Sequence, residues 1–311
     1  MRAFLCPGQG SQSVGMGADL ADASRAARDV FEAVDEALGQ NLFRLMREGP
    51  EDELKLTENA QPAIMAHALA VFAALTKEGG VELTKAAQFV AGHSLGEYSA
   101  LCAAGSLGLP NTAKLLKIRG RAMQAAVPVG VGAMCALLGA DIELARKIAE
   151  AAAEGEVCEV ANDNDPSQVV LSGHAAAIER AIGLAKEMGA KRAVQLPVSA
   201  PFHCSLMQPA ALAMADALSY EVLQAPAVPL YANVTARPAS DPDMIRDQLV
   251  SQVTGMVRWR ESIANMPEAG VTEFVELGGK VLGPMVKRIV PEAKVTSVVT
   301  IEDIEALAKS L

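Results

Sequence analysis

Ser94 lies in the stretch GHSLGEYSAL, residues 92–101, with Gly92 and Gly96 two positions before and after it. A G-x-S-x-G pattern can place a serine hydroxyl on a sharp strand-to-helix turn, where it is exposed as a nucleophile. The amide groups and the dipole of the following helix favour negative charge at such a turn. The alternative is a helix N-cap, with Glu97 completing an S-x-x-E capping box. The pattern alone leaves both interpretations open, and they do not exclude one another.

A serine hydroxyl needs a general base to act as a nucleophile, and two histidines are candidates. His203, in PVSAPFHCSLM, is predicted at a strand-to-helix boundary, where sites assemble in parallel sheets. The alternative for His203 is a surface or capped core histidine. His93 directly precedes Ser94, and on a sharp turn its side chain is expected to point away from the serine and line a pocket. Cys204 lies on the same local segment as His203 and is expected to be a small core residue.

Arg119 lies on the apolar face of a predicted helix in NTAKLLKIRGRAMQAAV. Residues four apart share a helix face, so Arg119 groups with Leu115 and Met123 rather than with the neighbouring lysines. A guanidinium that faces a core costs free energy unless a negative group meets it. That group can be an internal Asp or Glu. It can also be the carboxylate of a ligand, which a guanidinium binds through two parallel hydrogen bonds.

A glycine-rich turn, PGQGSQSVGMG (7–17), follows the first predicted strand. It lacks the G-x-x-x-x-G-K-[ST] pattern of a P-loop and the spacing of G-x-G-x-x-G, which disfavours a nucleotide site. Its backbone amides, together with the amide of the residue after Ser94, fit an oxyanion hole better.

The elements that must position these residues alternate between short apolar runs and helical periodicity. The predicted strands are RAFLCPG, AAQFVAG, VPLYANVT, TEFVELG and AKVTSVVT, and the predicted helices cover 18–38, 60–78, 111–127, 203–219, 241–253 and 280–289. This alternation predicts an α/β fold with a mostly parallel sheet that helices cover on both faces.

One stretch departs from this alternation. Between residues 132 and 198 the predicted order is β-α-β-β-α-β, with a turn at Asp165-Pro166, and this is the ferredoxin-like arrangement. We therefore expect a small subdomain of residues 130–197 inserted into a large α/β domain of residues 1–129 and 198–311. A cleft is expected between the two.

Composition excludes several classes of protein. The chain has 311 residues with 51% hydrophobic and 21% charged residues, as in an ordered globular protein, and its 27 basic and 37 acidic residues give a net charge of −10. Such a charge disfavours a general nucleic-acid binder. The apolar stretch 63–75 is shorter than the roughly 20 residues of a membrane span, and Pro7 interrupts the first apolar run, so no signal peptide is expected. Five scattered cysteines suggest neither disulfides nor a zinc site, and indicate a reducing cytoplasm.

Taken together, these motifs closely resemble those of the malonyl-CoA:acyl carrier protein transacylases of fatty-acid synthesis. The resemblance covers essentially the whole chain, and the motifs occur in the same order. They are PGQGSQ (7–12), QPA (61–63), GHSLGEYSAL (92–101), IRGRAMQ (118–124), GAMCALLG (132–139), QVVLSGH (168–174), PVSAPFH (197–203) and ELGGKVL (276–282).

The resemblance implies an α/β-hydrolase-like large domain and a ferredoxin-like small one. It also implies that Ser94 is the acylated nucleophile, that His203 is its base, and that Arg119 binds the free carboxylate of malonyl. The backbone amides of Gln9 and Leu95 would form the oxyanion hole.

Three further roles follow from the resemblance. A main-chain carbonyl, by position that of Arg258, would orient His203. Phe202 corresponds to the bulky residue of members selective for malonyl, where a smaller residue is expected if methylmalonyl is accepted. His93 would contribute to the substrate pocket.

The expected activity is therefore ping-pong transfer of malonyl from malonyl-CoA to the phosphopantetheine thiol of acyl carrier protein. No metal or cofactor beyond these substrates is implied, and the expected setting is a cytoplasmic monomer that binds neither nucleic acid nor membrane. Two rival functions are a serine thioesterase or lipase-like hydrolase and a non-catalytic acyl-CoA or carrier-protein binding module. Arg119 argues against the hydrolase, because neutral acyl groups have no use for its charge.

Overall fold

The strands lie where the sequence has short apolar runs. The computed structural model describes residues 1–198 and 200–311, so Ser199, within the PVSAPFH stretch, lies outside the described residues. The strands are β1 (Arg2–Cys6), β2 (Phe89–Gly92), β3 (Gly132–Leu138), β4 (Cys158–Asp165), β5 (Gln168–His174), β6 (Arg192–Gln195), β7 (Leu230–Ala232), β8 (Arg237–Ala239), β9 (Glu273–Leu277) and β10 (Lys294–Val298). Of these, β8 was not predicted; it is short, carries a proline and lies at a sheet edge.

The first sheet has the order β10-β9-β1-β2-β7-β8. All of its pairs are parallel except that of β7 with β8, so the prediction of an α/β fold with a mostly parallel sheet is confirmed. Strands β2 and β9 are buried along their whole length, which is typical of parallel strands covered by helices on both faces.

The second sheet has the order β4-β5-β3-β6, and each of its pairs is antiparallel. Its strands and two helices follow one another in the predicted order, and they enclose a hydrophobic core of their own. The hairpin between β4 and β5 turns at Asp165-Pro166, as expected.

The helices lie in the predicted helical segments, with ends that differ by a few residues, and several shorter ones are added. They are α1 (Ala18–Ala23), α2 (Arg25–Leu38), α3 (Leu42–Glu48), α4 (Glu51–Lys55), α5 (Thr57–Ala73), α6 (Leu83–Ala86), α7 (Gly96–Ala103), α8 (Leu109–Ala125), α9 (Ile142–Ala153), α10 (Ala175–Ala185), α11 (Gln208–Ser219), α12 (Pro242–Thr254), α13 (Trp259–Asn265), α14 (Leu282–Ile289) and α15 (Ile301–Ser310). The predicted segment 60–78 is α-helical to Ala73 and continues as a π-helix, Ala74–Glu78. No helix of the described residues is long and apolar enough to cross a membrane.

Two predicted helices differ from the structure, one because it is interrupted and the other because it begins later. The segment 18–38 is two helices, because Ser24 is extended and its side chain caps α2 by accepting from the amide of Ala27. The segment 203–219 becomes α-helical only at Gln208, because His203 has a φ of 59°, in the left-handed region.

Buried aspartates of β4 join the second sheet to the rest of the chain. The Asp163 carboxylate accepts from Arg260 of α13 at 2.8 Å, and that of Asp165 accepts from Arg288 of α14, also at 2.8 Å. The backbone amide of Asp163 also donates to the carbonyl of Val257. Ion pairs and backbone hydrogen bonds therefore hold β4 of the second sheet against α13, α14 and the segment before α13.

We expect His67→Leu to flatten the dependence of stability on pH. His67 lies in the buried helix α5, and burial lowers its pKa from 6.5 to about 4. As the pH falls below 6.5, the unfolded chain binds a proton at this residue and the folded protein does not, so the free energy of unfolding decreases. For one such group the decrease between pH 7 and pH 5 is about 2 kcal/mol.

The measurement is urea unfolding of both proteins at pH 7 and pH 5. His203 is also buried and neutral, but it remains in both proteins and cancels in the comparison. An identical loss of stability in the two proteins would contradict the assignment to His67.

Candidate active site

Ser94 lies on a tight turn between β2 and α7. Its φ is 54°, a left-handed value that side-chain-bearing residues seldom adopt. The turn brings Gly92 against Gly96 so closely that a Cβ on Gly92 would overlap the Gly96 backbone. A Cβ on Gly96 would in turn overlap the carbonyl of Cys6 in β1. Glycine is therefore required on both sides of Ser94.

Asn233 braces this turn from the end of β7. Its Oδ1 accepts from the Ser94 amide at 2.8 Å, and its Nδ2 donates to the carbonyl of Gly92 at 2.8 Å. Asn233 is fully buried. No sequence motif pointed to Asn233, although a polar residue directly after a buried strand is a usable signal.

His203 faces Ser94 with one ring nitrogen and a backbone carbonyl with the other. Its Nε2 lies 2.7 Å from Ser94 Oγ, and its Nδ1 lies 2.8 Å from the carbonyl oxygen of Gln252. A carbonyl only accepts, so Nδ1 carries the proton and Nε2 can accept the proton of the serine hydroxyl. Burial and, after it, the Arg119 cation lower the pKa of His203 to about 3, which keeps the ring neutral.

The prediction that Arg258 supplies this carbonyl is wrong. Arg258 precedes α13, and its carbonyl accepts from the amide and the hydroxyl of Ser262. Gln252 lies in the last turn of α12, where carbonyl groups lack partners within the helix. Its carbonyl is therefore free to accept from His203.

Arg119 reaches the site from α8 and contacts neutral oxygens. Its Nη1 donates to Gln61 Oε1 at 2.8 Å, and its Nη2 donates to Gln252 Oε1 at 2.7 Å and to Ser94 Oγ at 3.2 Å. The side chain is 1% exposed. Among the described residues it forms no ion pair with a carboxylate, so no internal Asp or Glu occupies the guanidinium directly.

Glu97 does not form the capping box with Ser94. The first turn of α7 has no side-chain cap. Instead, the Glu97 carboxylate accepts from the Asn233 amide at 2.8 Å and from Gln252 Nε2. Ser94 Oγ is directed to His203 and Arg119, as a nucleophile would be.

A cavity of about 330 Å³ contains Ser94, His203 and Arg119, and sequence-predicted residues line the rest of it. These include Gln9, His93 and Phe202, with Met123, Met134, Leu196 and Val198 as apolar neighbours. His93 points away from the serine hydroxyl, because its Nε2 lies 2.8 Å from Asn164 Oδ1. A larger cavity of about 670 Å³ borders the same 7–17 loop and contains none of the three residues.

The amides of Gln9 and Leu95 are available to a ligand. Within residues 1–198 and 200–311, neither amide donates to a protein acceptor. Leu95 precedes the first residue of α7, where backbone N–H groups lack helical partners.

Comparisons with known proteins show which family the chain belongs to. The acyl transferase domain family matches residues 3–284. The malonyl CoA-acyl carrier protein transacylase of Escherichia coli (strain K12) is 45% identical over 289 residues, which cover 93% of this chain and 92% of that protein. The chain belongs to the malonyl-CoA:acyl carrier protein transacylase family. The transacylase of Bacillus subtilis (strain 168) is 43% identical over 311 residues, covering 99% of this chain and 96% of that one.

Solved structures of transacylases have the same fold. The acyl-carrier-protein-S-malonyltransferase from Bartonella henselae matches with a TM-score of 0.97 and 52% identity, covering 99% of this chain and 98% of that chain. A malonyl-transacylase solved in complex with its type II PKS acyl-carrier protein matches with a TM-score of 0.96 and 38% identity, covering 100% and 97%.

We expect Asn233→Ala to lower the free energy of unfolding by about 2–4 kcal/mol, because the Ser94 amide and the Gly92 carbonyl lose buried partners. Chemical denaturation of the purified variant measures the change. The matched control is Asn111→Ala, which removes an exposed hydrogen bond to Glu221 and should change stability by about 0.5 kcal/mol or less. Equal effects of the two substitutions would show that Asn233 does not brace the turn.

Proposed function

We propose that this transacylase transfers the malonyl group from malonyl-CoA to the phosphopantetheine thiol of acyl carrier protein, supplying extender units for fatty-acid synthesis. The reaction passes through malonyl-Ser94. One observation carries the proposal within this family. A buried guanidinium, Arg119, lies 3.2 Å from the hydroxyl that faces His203, and only neutral oxygens occupy it.

In the first half-reaction, the proton of Ser94 Oγ passes to His203 Nε2 while Oγ attacks the thioester carbon of malonyl-CoA. The amides of Gln9 and Leu95 hold the resulting oxyanion. The carbon–sulfur bond then breaks, and the CoA sulfur leaves with the proton from His203. Ser94 carries the malonyl group as an ester.

In the second half-reaction, the thiol of acyl carrier protein gives its proton to His203, and its sulfur attacks the ester carbon. The bond to Ser94 Oγ breaks, and His203 returns the proton to the serine. The Gln252 carbonyl, which accepts from Nδ1, stabilises the imidazolium in both steps. Neither step requires a metal or a cofactor.

Arg119 links substrate choice to the strength of the base. Its charge lowers the pKa of His203, and a bound malonyl carboxylate would offset that charge. The base therefore becomes stronger when a dicarboxylic acyl group is bound. A neutral acyl group offers no carboxylate for Arg119 to bind, which disfavours the rival thioesterase function.

The remaining assignments follow the family resemblance. Phe202 is buried in the cavity wall, where its ring would limit substituents on the malonyl carbon. We assign residues 1–129 and 198–311 to an α/β-hydrolase-like domain and residues 130–197 to a ferredoxin-like one, and the separate core of the second sheet supports this division. The five cysteines are free, as suits a cytoplasmic protein. We propose that the enzyme acts there as a monomer.

Mixing the protein with malonyl-CoA should increase its intact mass by one malonyl group. Ser94→Ala should abolish the increase. Ser99→Ala removes a buried hydroxyl from the same helix without touching the site and should retain the increase. An unmodified wild-type protein would contradict the proposal and favour a binding module.

Arg119→Ala should reduce kcat/KM for malonyl-CoA by roughly 100-fold, because a charge-assisted bidentate contact is lost. Acylation by acetyl-CoA should change much less. Arg121→Ala, on the same helix but exposed and paired with Glu58, is the matched control. Parallel losses with malonyl-CoA and acetyl-CoA would contradict a carboxylate-binding role for Arg119.

A further inference from the structure

The side-chain amide of Gln252 separates two buried charged groups. Its Oε1 accepts from Arg119 Nη2 at 2.7 Å, while its Nε2 donates to Glu97 Oε2 and to the Ser94 carbonyl at 2.9 Å. The exposed fractions are 0% for Gln252 and 1% for each of Arg119 and Glu97. The result is a guanidinium–amide–carboxylate chain inside the protein core.

Glu97, together with the Ser94 carbonyl, determines which end of this amide faces Arg119. Its Oε2 faces Gln252, and its Oε1 accepts from the Asn233 amide at 2.8 Å. The Ser94 carbonyl accepts from the same NH₂ group at 2.9 Å and can only accept, so the NH₂ end of Gln252 must face Ser94 and Glu97. The oxygen end must then face Arg119. Without Glu97 the amide loses one of the two acceptors that hold its NH₂ end away from the guanidinium.

The chain also offsets the charge of Arg119 without occupying it. Burying an unpaired guanidinium is costly, and a carboxylate in direct contact would lower that cost. A direct contact would also compete with the substrate carboxylate. Burial raises the pKa of Glu97 to about 7, and the Arg119 cation opposes that rise, so Glu97 and Arg119 stabilise each other's charge across the amide. Arg119 Nε remains without a partner among the residues that the structure describes.

We propose that Glu97 is a positioning residue that acts through the Gln252 amide to hold Arg119 as a receptor for the substrate carboxylate. This inference rests on the proposed malonyl transfer. Glu97 does not touch the reacting atoms. Through Arg119, Glu97 increases the preference of the enzyme for malonyl over a neutral acyl group.

The test compares acylation of Ser94 by malonyl-CoA and by acetyl-CoA in wild type and Glu97→Gln. We expect the variant to reduce the ratio of the two kcat/KM values by about tenfold, as for residues coupled in one network. The control is Glu58→Gln, which removes a carboxylate that pairs with Lys117 and Arg121 outside the site, and it should leave the ratio unchanged. An unchanged ratio in Glu97→Gln, or equal losses with both substrates, would overturn the proposal.

A second variant separates the effect of the group that faces Arg119 from the effect of the net charge of the buried network. Glu97→Gln combined with Gln252→Glu keeps the atoms and the net charge but puts the carboxylate directly on Arg119. We expect this double variant to unfold at a thermal midpoint close to that of wild type. Its preference for malonyl-CoA over acetyl-CoA should remain as low as in Glu97→Gln. Recovery of the preference would overturn the proposal. If the wild-type protein failed to form malonyl-Ser94, the proposed function itself would be refuted. That result is distinct from the results of the two variants, which test only the role of Glu97.

Discussion

A guanidinium buried beside a serine hydroxyl sets the requirements of this active site. In the proposed reaction, Arg119 must stay charged in a core without being paired directly, because a direct carboxylate would occupy the position of the substrate carboxylate. Two glutamine oxygens contact it, and the nearest carboxylate is held one amide away. Gln252 meets most of these demands, since its side chain contacts Arg119 and its main-chain carbonyl orients His203.

The parallel sheet explains how these groups meet. The loop that carries Gln9, the turn that carries Ser94, and Asn233 all follow the carboxyl ends of neighbouring strands, where ligands bind in open α/β sheets. Helices α8 and α12 then bring Arg119 and Gln252 over that edge. The second sheet supplies the opposite wall through Met134 and the β4 end, which is fixed by buried aspartates.

The sequence identified residues whose side chains carry local signals. Ser94 has flanking glycines, Arg119 lies on an apolar helix face, and His203 follows a predicted strand. Gln252 escaped detection because its carbonyl acts through the backbone, which any residue possesses, and the wrong choice of Arg258 has the same cause. The early helix start predicted at residue 203 failed because a left-handed φ at a histidine leaves no mark in the sequence. The element order was predictable because burial on both sheet faces requires nearly continuous apolar runs.

The backbone angle at Ser94 also limits how this enzyme could change its chemistry. At a φ of 54°, a β-branched side chain is strongly disfavoured, whereas an unbranched one is tolerated when the surrounding contacts impose the turn. Evolution or engineering could therefore exchange the serine for cysteine at modest conformational cost. Threonine also carries a hydroxyl, but it is β-branched and is therefore strongly disfavoured as the nucleophile of this fold. Backbone geometry, as much as chemical reactivity, therefore restricts which residue types this fold can use as the nucleophile.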